Sequence, residues 1–247
     1  MFSPYSIITV LIMLLFLGFI AEPAYAMHIS EGILPVGWSV LWFVAAIPFV
    51  AMGLKRIRER SEKEPYFKPM IGLVGAAVFV ISCMPIPVPI AGTCSHPCGT
   101  GMAAILVGPW VSVVLASIAL LLQAVFLAHG GLTTLGANIM TMGVAGSFAG
   151  YGAFVLCRKL GLSVLVAAFL GGVLSDWMTY SATSFILSAA LHTGDSFWKM
   201  FLAIAFAFVP TQVPLGILEG FFTAGAYAWI QARRPQYVRM LEKGETA

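Results

Sequence analysis

Apolar residues run along this chain in six long stretches, at about 36–54, 69–90, 101–128, 136–156, 161–191 and 197–230, after a shorter run from Ile7 to Ile20. Basic residues punctuate them. Lys55, Arg56, Arg58, Arg60, Lys63 and Lys68 follow the first stretch, Arg158 and Lys159 the fourth, and Arg233, Arg234, Arg239 and Lys243 the last. Stretches of this length predict membrane-spanning helices, and the bias of Lys and Arg towards the cytoplasm puts all three clusters on that side. An even number of crossings must then separate Lys68 from Arg158, yet three apolar stretches lie between them. The 101–128 stretch resolves the parity. As one helix it would be ~42 Å long, well beyond a ~30 Å hydrocarbon core, and it contains Gly108-Pro109-Trp110, a natural break. Split into a short descending segment near 99–108 and an ascending helix near 110–128, the pattern predicts an all-α polytopic bundle. It has about seven transmembrane helices, an outer N-terminus and a cytoplasmic C-terminus.

Composition agrees. Of 247 residues 60% are hydrophobic and 9% charged, with mean hydropathy +0.96; a soluble domain carries about 25% charged residues. A net charge of +3 is too small and too scattered to suggest nucleic acid. Neither a Walker-type G-x-x-x-x-G-K-[ST], an H-E-x-x-H nor a G-x-S-x-G is present, so the chain does not hydrolyse ATP itself. Four cysteines make no disulfide framework in a chain this size. Cys94 and Cys98 could pair in an oxidising compartment; small polar residues in a tight loop is the plainer reading.

The first 26 residues end in Ala21-Glu22-Pro23 and the small-x-small Ala24-Tyr25-Ala26, a signal-peptide pattern. The alternative is an uncleaved anchor, since residues 5–21 nearly span a bilayer. Cleavage before Met27 would leave one domain, 27–247, beginning Met27-His28. A free α-amine, the His28 amide nitrogen and an imidazole nitrogen then close a five- and a six-membered chelate ring around one metal. Such a planar, nitrogen-rich set suits Ni(II), Cu(II) or Co(II) and not Mg or Ca.

All four histidines fall on the predicted outer side. His96 sits in a Gly92–Gly101 loop flanked by Pro85-Ile86-Pro87-Val88-Pro89, irregular backbone that must be buried in protein or line a cavity at membrane depth. It could supply a fourth in-plane nitrogen, or simply cap the loop backbone; Thr93, Ser95 and Thr100 could orient it. His129, in the turn before Gly130-Gly131, reads as an interfacial residue or as part of a metal access path, and His192 as a solvated loop residue. Asp176 and Glu219 are single acids in long apolar stretches, functional candidates by default, with no sequence-adjacent basic partner. Pro210 and Pro214 around Gln212 predict a kinked last helix.

With these residues in view the chain resembles the CbiM/NikM family, the substrate-binding S components of energy-coupling-factor transporters for cobalt or nickel. The resemblance rests on Met27-His28-Ile29-Ser30-Glu31-Gly32-Ile33-Leu34-Pro35, Cys94-Ser95-His96-Pro97-Cys98-Gly99-Thr100-Gly101, Gly108-Pro109-Trp110, His129-Gly130-Gly131-Leu132-Thr133-Thr134-Leu135-Gly136-Ala137-Asn138, and Thr211-Gln212-Val213-Pro214-Leu215 with Glu219-Gly220. It implies an S-component bundle in the cell membrane, with the metal in a square-planar site made by the Met27 amine, the His28 amide and imidazole, and the His96 imidazole. Glu31, Thr93, Ser95, His129, Asn138 and Asp176 become candidates for supporting that site or the path to it. The implied substrate is Co(II), with Ni(II) as the alternative, supplied to cobalamin biosynthesis. The implied partners are a small CbiN-like membrane subunit, a CbiQ-like coupling protein and a cytoplasmic CbiO-like ATPase. Two departures stand out: Cys98 occupies a position where Thr or another small residue is expected, and Met1 to Ser6 lack a basic residue. A membrane metalloprotease using His96, His129 and Asp176, or a scaffold whose histidines merely satisfy loops, are the competing classes.

Overall fold

The computed structural model describes residues 25–26, 28–84, 86–88, 93–192, 194 and 196–233. The expected leader before Tyr25, the Met27 amine, and Arg234, Arg239 and Lys243 lie outside them.

Among the described residues seven helices carry the fold. Helix α1, Val36–Lys63, starts after Pro35 and ends where Pro65 disfavours helical backbone at the preceding residue. Glu64 accordingly turns extended (φ −118°, ψ 101°), while Arg60 and Lys63 place positive charge in the last turn, where the helix dipole favours it. Helix α2, Phe67–Ser82, stops before the proline-rich segment. There the sequence pattern places apolar helix as far as residue 90, but the backbone forms strand β2, Ile86–Val88, paired antiparallel with β3, Thr93–Ser95; β1, Tyr25–Ala26, pairs parallel on the other edge of β3. Prolines cannot donate the helical hydrogen bonds this stretch would need.

The split of the third apolar stretch is seen directly. Helix α3, Thr100–Val107, ends at Gly108, whose φ of 97° only glycine adopts readily, and α4, Pro109–Phe126, starts with proline at its first position. All eight residues of α3 are buried. Helix α5, Leu135–Lys159, contains a π-helical segment, Ile139–Gly146. Helix α6, Val164–Leu191, is capped by the Ser163 hydroxyl accepting from the Val166 N–H, and α7, Phe197–Arg233, runs through Pro210 and Pro214 as one helix.

Helices α1, α4, α5, α6 and α7 are long and apolar enough to cross a membrane; α2 has 16 residues and α3 only 8. Small residues let the central helices touch. A Cβ on Gly150 of α5 would lie 2.9 Å from the Gly171 carbonyl of α6, and one on Gly171 would lie 2.9 Å from that of Gly150, a contact typical of helix packing in membranes. Val40, Leu41, Val44 and Ile47 of α1 and Phe206, Val209, Val213 and Phe221 of α7 are exposed, as lipid-facing positions should be.

The two ends of the bundle differ in chemistry. Arg60, at the end of α1, donates from Nη1 to the Val107 carbonyl at 2.7 Å and so satisfies the end of α3. Trp110 stacks on Phe49 and meets Phe148 edge-on, packing the start of α4 against the middle of α1 and α5, and Phe154 sits tilted against Tyr227, joining α5 to α7. The histidines gather at the end away from Arg60.

Candidate metal centre

The segment entering α1 is gripped from α5. The Ile29 N–H donates to Asn138 Oδ1 at 2.9 Å, and Asn138 Nδ2 returns a hydrogen bond to the Ile29 carbonyl at 3.2 Å. The Thr134 hydroxyl donates to that same carbonyl, and the Thr133 N–H donates to Glu31 Oε2 at 3.1 Å. Glu31 is exposed, and hydrogen bonds from the Thr133 hydroxyl first, then from backbone N–H groups, hold its carboxyl below the usual range against a smaller effect of burial. Ile29 and Leu34 bury against Ala137 and Ile186. The segment is thereby pinned by both backbone and side chains, and His28 is fixed at its start.

Three imidazoles meet there. The His28 and His96 ring centroids are 4.7 Å apart, those of His28 and His129 4.8 Å, and those of His96 and His129 5.1 Å. One nitrogen from each can be chosen so that all lie within 4.8 Å of one another. His96 is wholly buried and its loop is tied down: Tyr180 Oη donates to the His96 carbonyl at 3.1 Å, and the Gln212 amide donates to the Ser95 hydroxyl. His96 Nδ1–H donates to the Pro97 carbonyl at 2.9 Å, which leaves Nε2 as the lone-pair nitrogen. That nitrogen faces His28 Nε2 at 3.2 Å. The second partner of His28 Nε2 is Gln123 Oε1 at 2.9 Å; Gln123 in turn donates from Nε2 to the Ser82 hydroxyl at 2.7 Å, which fixes its amide orientation. His28 therefore carries its proton on Nε2, and Nδ1 is free to accept.

His129 reaches the cluster because Ala128 adopts φ 49°, a left-handed turn that folds the chain back so that the His129 N–H bonds the Gln123 carbonyl at 3.2 Å. Its Nε2 is buried without a hydrogen-bond partner.

Electrostatics keep all three rings neutral. Burial, then the neighbouring His96 and His129, push His28 well below its ordinary value, against the Gln123 hydrogen bond. Burial and His129 lower His96 to about 3, opposed by the Pro97 carbonyl, and burial alone lowers His129. Neutral, convergent imidazoles with oriented lone pairs are what a transition-metal ion requires and what a proton or a hard cation does not select.

Other candidates sit elsewhere. Thr93 belongs to β3, paired with Tyr25 and Val88, and its side chain lies outside the described residues. Ser95 and Thr100 hold the loop and α3, not the imidazoles: Thr100 Oγ1 lies 3.2 Å from Ser175 Oγ. His192 caps its own helix by bonding the Ser188 carbonyl. Asp176 is buried with Cys98 and Glu219, in a cluster separate from His96 and His129, so the three residues of the metalloprotease alternative do not share a site. Cys98 is a free thiol and not half of a disulfide. Gln123 lies outside the residues the sequence marks as candidates, and Thr134 enters them only within the His129–Asn138 motif, although an amide inside Leu121-Leu122-Gln123-Ala124-Val125 is a polar signal in an apolar run.

Comparison with known proteins adds a family-level finding. Residues 28–237 match the CbiM family, described as the cobalt uptake substrate-specific transmembrane region. A cobalt transport protein CbiM of Geobacter sulfurreducens is 59% identical over 216 residues, 87% of this chain; the chain spans 62% of that relative's length. One of Sorangium cellulosum is 56% identical over 216 residues, covering 87% of this chain and 96% of the relative. Two crystal structures share the fold. A truncated transition metal transporter superposes with a TM-score of 0.73 at 26% identity, over 84% of this chain and 99% of its own. A second transition metal transporter gives 0.74 at 25% identity, over 87% and 98%.

Proposed function

The chain belongs to the CbiM family of cobalt-uptake transmembrane regions, and from that premise we propose that it captures divalent cobalt on the outer side of the cell membrane. The observation that carries the reading is the meeting of His28, His96 and His129 beside a chain segment held by Asn138 and Thr134. In this reading residues 1–26 are a leader removed before Met27, and the mature chain crosses the membrane seven times, N-terminus out. The end carrying the imidazoles faces outward and the basic end faces the cytoplasm.

The Met27 amine, the His28 amide nitrogen, His28 Nδ1 and His96 Nε2 then form the square-planar set. Closing the six-membered ring uses Nδ1, which leaves the His28 Nε2–H bonded to Gln123, the usual outward partner of a metal-bound histidine. His129, with a partnerless ring nitrogen, stands where an arriving or departing ion passes. Capture releases protons, because the amine must be neutral and the amide must ionise under the metal's charge. A small membrane subunit, a transmembrane coupling protein and a cytoplasmic ATPase of the CbiN, CbiQ and CbiO kinds supply the rest of an energy-coupling-factor machine; ATP hydrolysis there reorients this subunit and opens the site inward, feeding cobalamin synthesis. Nickel uptake by the same route is the second reading, favoured by the planar nitrogen set itself.

The test is N-terminal mass analysis of the purified protein with measurement of its bound metal, repeated on a chain extended by one residue before Met27. The mature wild type should begin at Met27 and retain cobalt, and the extended chain should not. Equal cobalt retention by both would overturn the chelate.

A further inference from the structure

Beneath the histidines lies a second set of donors that the capture site does not use. Cys98, Asp176 and Glu219 are each at most 1% exposed, and one donor atom from each can be taken so that all lie within 4.8 Å of one another. Cys98 Sγ is 3.9 Å from Asp176 Oδ1. Glu219 has a structural duty as well: Oε2 accepts from the Cys98 N–H at 2.6 Å and Oε1 from the Gly99 N–H at 3.0 Å, at the start of α3. Those two N–H groups offset its charge. Asp176 has no such support. Its Oδ2 is buried without a hydrogen-bond partner, and among the described residues neither carboxylate forms an ion pair with Lys or Arg. An orphaned carboxyl oxygen inside a membrane bundle is costly unless a proton or a cation meets it.

We propose that Cys98, Asp176 and Glu219 form a second, deeper site for a divalent transition-metal ion. One thiolate and two carboxylates suit Co(II), Ni(II) or Zn(II) better than Mg(II) or Ca(II). A four-coordinate ion with M–S near 2.3 Å and M–O near 2.1 Å sets its donors roughly 3.3–3.7 Å apart, so a 3.9 Å sulfur–oxygen spacing within a 4.8 Å cluster needs to close by up to about 1.5 Å. Binding displaces the thiol proton; the thiolate and one carboxylate then neutralise the divalent ion, and the other carboxyl keeps its proton and binds through its carbonyl oxygen. Position suggests the use. Asp176 lies midway along α6, and Cys98 is two residues from His96 on one loop. An ion released by His96 therefore meets this cluster next on its way inward. That role in transit rests on the uptake reading; the binding itself does not.

Co(II) is the probe. The full mature chain in detergent is dialysed against it and read by bound metal per chain and by thiolate-to-cobalt charge-transfer absorption in the near ultraviolet. Wild type should hold two ions and show the band. Cys98→Ser should lose the band and one ion while keeping the other, and Asp176→Asn, close in shape, should weaken the second ion at least about tenfold. His28→Ala with His96→Ala should lose one ion but keep the band. A single ion with no band in the wild type, or a band that survives Cys98→Ser, overturns the proposal. Failure of the outer site shows separately: the histidine double variant would then lose no ion.

Discussion

Gln123 offers the sharpest test of how the histidines are held. It is fully buried, its Oε1 is 2.9 Å from His28 Nε2, and its Nε2 donates to the Ser82 hydroxyl. Gln123→Met keeps the volume and removes the acceptor. The His28 N–H then faces buried surroundings without this partner, a cost of about 1–3 kcal/mol, or roughly 5- to 150-fold in affinity if the loss is felt in the metal-bound state. An independent guide, the 10- to 100-fold typical of losing a metal-bound histidine's outward partner, falls in the same range. Gln123→Glu keeps an acceptor on His28, and the Ser82 hydroxyl can turn its proton towards it. The carboxylate raises imidazole basicity, so this variant should bind as well as wild type or better. Competition of mature protein against a calibrated chelator measures Co(II) affinity, and thermal melting of the metal-free protein separates binding from folding. If the two variants weaken binding equally, or Gln123→Met changes it by less than about threefold with unchanged melting, the assignment of Nε2 as the outward nitrogen is wrong.

Other predictions follow from the same geometry. Because His96 is lowered to about 3 and His28 lies well below its ordinary value, in the proposed chelate the protons competing with metal would be those of the α-amine, pKa about 8, and of the amide. Log affinity should fall by about two per pH unit between pH 8 and 6, measured by titration at each pH; a slope of zero over this range removes the amine from the ligand set. The metal-free fold shows the linked effect. Its imidazoles exclude protons that the unfolded chain takes up below about pH 6.5, so stability is complete above that pH and declines as pH falls towards 3, read as a lower melting temperature at pH 5 than at pH 7. Asn138→Leu leaves the Ile29 N–H unpaired at about 1–3 kcal/mol and should expose the 28–31 segment to proteolysis while the helices persist. Gly131→Ala drives a Cβ to 2.6 Å from Glu31 Cα and 2.7 Å from Glu31 N, an overpacking of about 1–3 kcal/mol. It should speed metal loss, whereas Gly152→Ala, which meets nothing within 4 Å, should leave retention unchanged.

What the sequence revealed follows the range of the forces involved. Gly108-Pro109 is a local break and appears within a residue or two of where parity required it, with α3 ending at Val107 and α4 starting at Pro109. The apolar run to residue 90 misled, because hydropathy does not register that its prolines cannot join a helix; α2 stops at Ser82. The π-helical Ile139–Gly146 left no trace in the apolar pattern, which barely distinguishes it from α-helix. His28 and His96 were legible by their chemistry. Their partners were not, since Gln123 is 95 residues from His28 and Asn138 is 109 from Ile29, and only the packed bundle brings them together. Asp176 and Glu219 were visible as expensive acids, yet their common neighbour, Cys98, emerges only from the way the loop dips into α6 and α7.

The strand β1 has a bearing on maturation. Tyr25 and Ala26, the two residues ahead of the expected scission, lie in parallel register with Thr93 and Cys94, on the strand that leads into His96. If the chain is cut before Met27, a peptidase and this strand compete for one short extended segment. Scission before Met27 would strip β3 of one neighbour while β2 remains, and open its N–H and C=O groups along a free edge. Removal of the leader would then do two things in one cut: create the amine, and free one edge of the strand that leads into His96.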